Sequence, residues 1–236
     1  MKPFITIRSV AAVLLLLFLH TGCKEKEVSG SKDVDSQHLY FDYIIWGEEG
    51  MENVSCRFQY KLNRADGNAL LIEAPGKVEL DGEPLVPDST RFMGVFYEAH
   101  KPETAFAGKH TITFTGSDGK IFTEEFEFHP FGLAEELPEQ VSRAPFTIKL
   151  SGVPARETPF RLVMLDTALA TDDVNEIIGV VNGQLNVSQD MLDKLANGPI
   201  NLEISREEER KVRRGTKRGG KIAITYVLKR GFDLVD

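Results

Sequence analysis

Cysteine is nearly absent from this chain of 236 residues. The two that occur, Cys23 and Cys56, exclude the dense disulfide framework that stabilises many small secreted domains. Stability must therefore come from packed apolar cores. Long apolar runs are absent after residue 23, so no later segment predicts a membrane-spanning helix, which needs about twenty apolar residues.

Positive charge is scarce as well. The chain has 28 Lys and Arg against 36 Asp and Glu, which gives a formal net charge of −8. Two of the bases, Lys2 and Arg8, lie in the first 22 residues, so the remainder is more acidic still. This balance argues against a general nucleic-acid-binding function and suits solubility beside an anionic envelope.

Common catalytic signatures are missing too. The sequence contains no Gly-x-Ser-x-Gly elbow, no Cys-x-x-Cys pair and no two histidines three or four residues apart. These patterns are typical of esterase, thiol-redox and zinc sites. We therefore expect no catalysis, no cofactor and no metal. An accessory glycan-processing enzyme with a site of separated carboxylates is the alternative that these absences leave open.

The N-terminus carries the strongest local signal in the chain. Lys2 and Arg8 precede an apolar run over residues 10–19, and small residues follow it up to Cys23. A charged start, a short apolar middle and a small-residue cut site are typical of a secretory signal. We predict that residues 1–22 are a signal peptide.

A cysteine directly after the cut resembles the lipobox of Gram-negative bacterial lipoproteins, although His20 stands where that motif has a branched aliphatic residue. The resemblance implies a palmitate-type lipid anchor on Cys23 and attachment to the outer membrane. Lys24 follows the cysteine, which by the same resemblance argues against inner-membrane retention. Residues 23–37 lack aromatic side chains and are expected to form a flexible tether.

Alternation dominates the first half of the mature chain. Val54, Cys56, Phe58 and Tyr60 share one face of a predicted strand, so Cys56 is expected to be a buried apolar residue. Further strands are predicted over residues 39–46, 70–73, 77–81, 91–98, 110–115 and 120–128. The last two flank a Gly-Ser-Asp-Gly turn, a hairpin that resembles the closing strands of immunoglobulin-like domains.

The second half has a similar pattern with one helix. Strands are predicted over residues 146–150, 160–166, 176–181, 184–187, 200–205 and 222–229. Ser188 is a good helix N-cap, Met191, Leu192 and Leu195 share a face, and Gly198 closes the segment. The stretch 183–204 resembles immunoglobulin-like modules of bacterial surface lipoproteins.

The predicted fold is therefore mostly β, with two immunoglobulin-like antiparallel β-sandwich domains and one short helix in the second. We place the domains at residues 38–130 and 145–236, joined by a proline-rich linker over 131–144. The expected function is that of a lipid-anchored envelope or surface protein that binds or scaffolds, engaging glycan or another envelope protein. A purely structural spacer is a further alternative.

A basic stretch interrupts this acidic protein between Arg206 and Lys221. It is predicted to form a long, solvated β-hairpin tip whose charge blocks edge pairing, or alternatively an anion or partner site. The candidate binding residues are Arg210, Lys211, Arg213, Arg214, Lys217, Arg218 and Lys221. Residues 215–221 nearly match the phosphate-binding P-loop, but Ile222 replaces the required Ser or Thr, and a strand follows instead of a helix.

Two short motifs indicate possible modification. Asp88-Ser89-Thr90 and Asp166-Thr167-Ala168 match the three-residue acceptor of some bacterial envelope O-glycosylation systems. Ser89 and Thr167 are therefore candidate O-glycosylation sites.

Overall fold

The computed structural model describes residues 29–167 and 173–236. The first half contains ten strands: β1 (Ser29–Gly30), β2 (Leu39–Glu48), β3 (Asn53–Leu62), β4 (Leu70–Leu71), β5 (Lys77–Leu80), β6 (Glu83–Pro84), β7 (Pro87–Thr90), β8 (Gly94–Pro102), β9 (Gly108–Thr115) and β10 (Ile121–Phe128). Short 3-10 turns cover Ser36–His38 and Glu103–Ala105.

The second half adds eight strands and a one-turn helix. They are β11 (Gly132–Leu133), β12 (Gln140–Ser142), β13 (Phe146–Ser151), β14 (Thr158–Asp166), β15 (Val174–Val180), β16 (Gln184–Val187), α1 (Gln189–Leu192), β17 (Gly198–Thr216) and β18 (Gly219–Val235). The helix begins as predicted, because the Met191 N–H donates to the Ser188 hydroxyl.

One nine-stranded sheet runs through both halves. Its order is β15-β14-β17-β18-β2-β3-β8-β7, and β12 pairs with the end of β18. The crossing from one half to the other is a parallel pairing, in which Gly220–Val227 of β18 lies beside Phe41–Glu48 of β2. The hairpin of β17 and β18 therefore belongs to both halves.

Alternation along each strand decides which face of this sheet is covered. In β2, Leu39, Phe41, Tyr43 and Ile45 are each at most 1% exposed, whereas their neighbours Tyr40, Ile44 and Trp46 are half-buried. Side chains two apart share a face, so one face collects the apolar residues. Two small sheets cover that face, β10-β9-β5-β6 over the first half and β11-β13-β16 over the second.

Aromatic packing fills the first core. Tyr60 stacks on Phe114 with ring centroids 4.5 Å apart, and Phe41 meets Phe114 edge-on at 5.3 Å. Cys56 lies in the same core, fully buried and unpaired, which confirms its prediction as a buried apolar residue. Burial raises the pKa of the Cys56 thiol to about 12, so it is not a nucleophile at neutral pH.

The two cores are joined by four aromatic rings. Phe128 contacts Tyr226, Tyr226 contacts Phe131, and Phe131 contacts Phe160, with ring centroids 5.7, 5.4 and 4.9 Å apart. Phe131 is 4% exposed although it lies in the predicted linker. Residues 131–144 contribute β11, which pairs with β13, and β12, which pairs with β18.

The mostly-β sandwich class with one short helix in the second half is confirmed. The domain boundaries at 38–130 and 145–236 stay predictions, and the described residues of the two halves share one sheet and one apolar core cluster. The shared sheet cannot be predicted from the sequence patterns of the halves, because backbone hydrogen bonds between β18 and β2 do not change the alternation of side chains in either strand.

Residues 29–37, at the end of the predicted tether, make specific contacts with the first half of the protein. β1 pairs in parallel with β4, and the Ser31 hydroxyl contacts that of Ser117 at 3.1 Å. Ser36 donates from both its hydroxyl and its backbone N–H to the Asp118 carboxylate. Polar side chains therefore tie this segment to the β9–β10 turn without the aromatic residues that the prediction required.

The end of the long hairpin is packed on one side, whereas its charged residues Lys211, Arg213, Arg214, Lys217 and Arg218 are exposed. Val212 and Thr216 are each 8% exposed, and the Thr216 hydroxyl donates to the backbone carbonyl of Leu39. A Cβ on Gly220 would lie 2.6 Å from the Phe41 carbonyl oxygen, so only glycine permits this approach to β2. Strand β18 pairs with β2 on one side of the hairpin, and the pairing of β17 with β14 on the other side ends at Ser205, just before the charged stretch.

Candidate functional site

A cleft of about 610 Å³ lies between the first small sheet, the middle of β17 and the loop between β13 and β14. We call it the inter-sandwich cleft. It is lined by Lys109, His110, Thr111, Glu125, Phe126, Glu127, His129, Arg156, Arg206, Glu208, Arg210 and Arg213. Strand β10, at the edge of the first small sheet, forms one wall, β17 forms the floor, and Arg156 reaches in from the loop between β13 and β14.

The floor is polar because this part of the long strand is uncovered. Ile200, Leu202 and Ile204 point into the second core, and Val212 is buried at the far end of the same face. Between them the face carries Arg206, Glu208 and Arg210, opposite Tyr226, Ile224 and Ile222 of β18. Arg206 is half-buried, Glu208 is exposed and Arg210 contacts the edge of β10, so charged side chains are tolerated at these three positions.

Arg210 is held by a buried carboxylate. Its guanidinium forms an ion pair with Glu124 of β10, whose residue exposure is only 2%, and donates to the Glu125 carbonyl at 2.8 Å. The second oxygen of Glu124 accepts the Arg213 backbone N–H at 2.7 Å. One carboxylate therefore ties β17 to the edge of β10 at two points.

Arg156, Arg206 and Arg213 differ from Arg210. Within residues 29–167 and 173–236, no carboxylate lies at ion-pair distance from any of their guanidinium groups. Arg206 is half-buried, whereas Arg156 and Arg213 are exposed at the sides of the cleft. Burial lowers the pKa of Arg206. The negative charge of Glu208 acts in the opposite direction, whereas the positive charge of Arg156 lowers this pKa further. The guanidinium group of Arg206 nevertheless stays charged at neutral pH.

Apart from Glu125, the acidic groups of the cleft form ion pairs, and His110 and His129 also have partners. Glu127 contacts His129 at 3.0 Å and Lys109 at 3.6 Å, and Glu208 contacts Arg210 at 3.5 Å. His110 stacks on Phe106 with centroids 3.8 Å apart, while its two ring nitrogens contact Asp81 and the Phe106 carbonyl. The uncommitted groups of this site are therefore mainly cations.

The seven basic candidates of the hairpin separate into three groups. Arg210 and Arg213 line the cleft, Lys221 contacts Glu209 at 3.2 Å, and the other four are exposed outside the cleft. Those four are Lys211, Arg214, Lys217 and Arg218. The structure thus brings only two of the seven together in a concave site.

Arg156 and Glu124 could not be found from the hairpin alone. They precede Arg206 by 50 and 82 residues in the chain, and only the packing of β10 and the β13–β14 loop brings them to β17. The sequence of β17 does contain a pattern that indicates the floor of the cleft. The apolar alternation of Ile200, Leu202 and Ile204 stops at Arg206 and resumes at Val212, as expected where a strand leaves a core.

The remaining candidates lie elsewhere. Ser89 is exposed on β7, at one edge of the large sheet, and Thr167 is exposed just after β14. Both hydroxyls are accessible to a modifying enzyme. Cys23 lies outside the described residues. Trp46 is half-buried on the uncovered face of the large sheet.

Two searches cover the described parts of the chain only. Residues 29–167 and 173–236 contain no group of three or more His, Cys, Asp or Glu placed to hold a metal ion. The same residues contain no helix long and apolar enough to cross a membrane.

No protein-family model matches the chain, and no curated protein matches it either. Among solved structures, the two immunoglobulin domains of DIP-gamma superpose with a TM-score of 0.24 at 9% identity, over 80% of this chain and 94% of that one. The glucan-utilisation protein SGBP-B of Bacteroides ovatus, in complex with a mixed-linkage heptasaccharide, gives 0.23 at 11% identity, over 87% of this chain and 45% of that one.

A bacterial ice-binding adhesin concerned with host cell surface retention gives a TM-score of 0.23 at 9% identity, over 84% of this chain and 65% of that one. TM-scores this low establish no relationship. The fold and the cleft are therefore argued from the chain's own geometry.

Proposed function

We propose that this protein is a lipid-anchored binding or scaffolding protein of the Gram-negative outer membrane, which engages glycan or another envelope protein. The observation that supports this best is the inter-sandwich cleft with its three guanidinium groups outside any ion pair. Arg206 is half-buried, and its partial desolvation is unfavourable unless a ligand satisfies the guanidinium group. We propose binding without catalysis.

The alternative of a glycan-processing enzyme rests on the three carboxylates of the cleft, Glu125, Glu127 and Glu208. Glu127 and Glu208 are taken up in ion pairs, which leaves Glu125 as the free one. Hydrolysis of a glycosidic bond needs two carboxyl groups acting together. Release of sugar by the parent protein, abolished in Glu125→Gln, would favour the enzyme over the binding protein.

A lipid on Cys23 would hold the body close to the membrane. Six residue steps separate Cys23 from Ser29, the first residue paired in a strand, and a fully extended chain of that length spans roughly 20 Å. Gln37 accepts the Lys217 N–H, so the hairpin turn lies at the end of the body that receives the N-terminal segment. This arrangement would leave the second sandwich farther from the lipid.

Two experiments test the proposal. Cys23→Ser should release a folded protein from the membrane fraction, whereas Cys56→Ser, the matched control, should leave it membrane-bound. Capture of glycan or envelope proteins on intact cells, scored with surface protease accessibility, tests binding. A Cys23→Ser protein that stays on the membrane contradicts the anchor, and capture of neither glycan nor protein supports the structural spacer.

Ser89 and Thr167 remain predicted O-glycosylation sites. If both are used, the mature protein is heavier than polypeptide plus lipid by the mass of two glycans, and Ser89→Ala or Thr167→Ala removes one of them. Intact-mass spectrometry of the protein purified from its native cells measures this.

A further inference from the structure

We propose that the inter-sandwich cleft binds a glycan bearing separated anionic groups, carboxylate or sulfate, and that Arg156, Arg206 and Arg213 hold those groups. This inference rests on the proposed binding function and specifies the ligand class of that site.

The first argument is charge. In a chain of net charge −8, the arginines that pack between strands of the large sheet and their neighbours have counterions: Arg161 pairs with Glu207, Arg230 with Glu49 and Glu136, and Arg210 with Glu124. Arg156, Arg206 and Arg213 instead share one concavity without a carboxylate of the described residues at ion-pair distance. Like charges repel, and Arg156 already weakens the charged form of Arg206. An anion placed between them would relieve this repulsion.

The second argument is geometry. Arg206 rises from the floor, Arg213 lies toward the β10 wall, and Arg156 comes from the opposite half of the molecule. A guanidinium group presents a planar fork that matches carboxylate and sulfate oxygens in pairs. Donors on three sides of a cleft can hold two or more anionic groups at different positions along one ligand.

The third argument separates a glycan from other polyanions. Glu125, Glu127 and Glu208 line the same cleft, and they would repel a ligand with closely spaced charges such as a polyphosphate or nucleic acid. The same carboxylates accept hydrogen bonds from hydroxyl groups. A ligand that suits both the arginines and the carboxylates of the cleft is rich in hydroxyl groups and has anionic groups that are far apart. The cleft volume of about 610 Å³ is in the range of small-ligand sites and accommodates a few sugar rings.

The experiment compares two double variants of the full-length protein purified in detergent. Arg156→Gln/Arg213→Gln removes two cleft cations, and Arg214→Gln/Arg218→Gln removes two exposed cations outside the cleft, so both variants lose the same charge. Binding is measured by titration calorimetry at low and physiological salt. The probes are oligogalacturonate for carboxylate, chondroitin sulfate oligosaccharide for sulfate, neutral cello-oligosaccharide, and a glutamate-rich peptide.

We expect one of the two anionic glycans to bind, with at least tenfold weaker binding in the cleft variant and less than twofold change in the control variant. Which glycan binds identifies the anionic group. Arg206→Gln should weaken binding of the same glycan without lowering the unfolding temperature of the free protein.

Other outcomes overturn the inference. Equal weakening in the two double variants means that net charge, not the cleft, governs binding. Binding of the neutral oligosaccharide, unchanged by the cleft variant, leaves the glycan-binding function standing and refutes the anionic ligand. Binding of the peptide alone refutes it in favour of an acidic protein partner. No binding of any probe, with envelope proteins still captured on cells, refutes the ligand class only; no capture refutes the proposed function as well.

Discussion

Arg206 and Arg210 lie four residues apart on the same face of β17, yet they have different surroundings. Arg210 faces the buried carboxylate of Glu124, and Arg206 faces open cleft beside another arginine. The residue type and the face of the strand are the same. The difference therefore comes from β10, which places a carboxylate beside Arg210 and none at ion-pair distance from Arg206. A charged position on a sheet becomes structural when another element supplies its counterion, and is available to a ligand when none does.

Among the variants that test this comparison, Glu124→Gln is expected to have the largest effect on the free energy of unfolding. It removes the buried counterion of Arg210 and leaves only the more distant contact with Glu208 among the described residues, and removing one partner of a buried pair costs about 3 kcal/mol. Urea unfolding followed by tryptophan fluorescence measures the loss. Glu125→Gln, one residue away and exposed, is the matched control and should change stability by less than about 0.5 kcal/mol. Equal effects at the two positions would mean that the ion pair is not what ties β17 to β10.

A smaller effect is expected at Asp118, which fixes the N-terminal segment. Burial pushes the pKa of Asp118 upward, but hydrogen bonds from Ser36 and Lys120 outweigh it and hold that pKa well below its usual 3.8. Asp118→Asn should cost about 1 kcal/mol, seen as faster hydrogen exchange and proteolysis around residues 31–38.

The pH dependence of this contact follows from the direction of the shift. A lowered carboxyl pKa contributes stability that is fully present above pH 3.8 and is lost as the pH falls through the folded-state value. The exchange rates of parent and Asp118→Asn should therefore differ at pH 6 and converge in strong acid. A difference that grows on acidification would contradict this assignment.

The smallest expected effect on stability is at Arg206. Since no carboxylate is paired with it and Arg156 repels it, Arg206→Gln should leave the free energy of unfolding within about 0.5 kcal/mol of the parent. Arg161→Gln, which breaks an exposed pair with Glu207, is the comparison variant and should lose up to about 1 kcal/mol. If Arg206→Gln lost several kcal/mol, Arg206 would be a structural cation like Arg210.

Much of the strand architecture could be predicted from local sequence. The alternation at Val54, Cys56, Phe58 and Tyr60 placed a strand and its buried face correctly, because side chains two apart necessarily share a face. Ser188 marked the start of the helix, since its hydroxyl satisfies a free N–H in the first turn. The cleft was only half predictable: Arg210 and Arg213 were candidates, whereas Arg156 and Glu124 were not.

The sequence by itself determined that this chain is an acidic, mostly-β protein without a disulfide framework, and it determined which residues of each strand face a core. These properties depend on neighbours one to four residues apart. Only the tertiary structure decided that β18 pairs with β2, that the two sandwiches share a sheet, and which arginines have counterions. Strands pair through backbone hydrogen bonds, which do not depend on which side chains the strands carry. The electrostatic environment of a charged group depends on residues that folding brings close from distant parts of the chain.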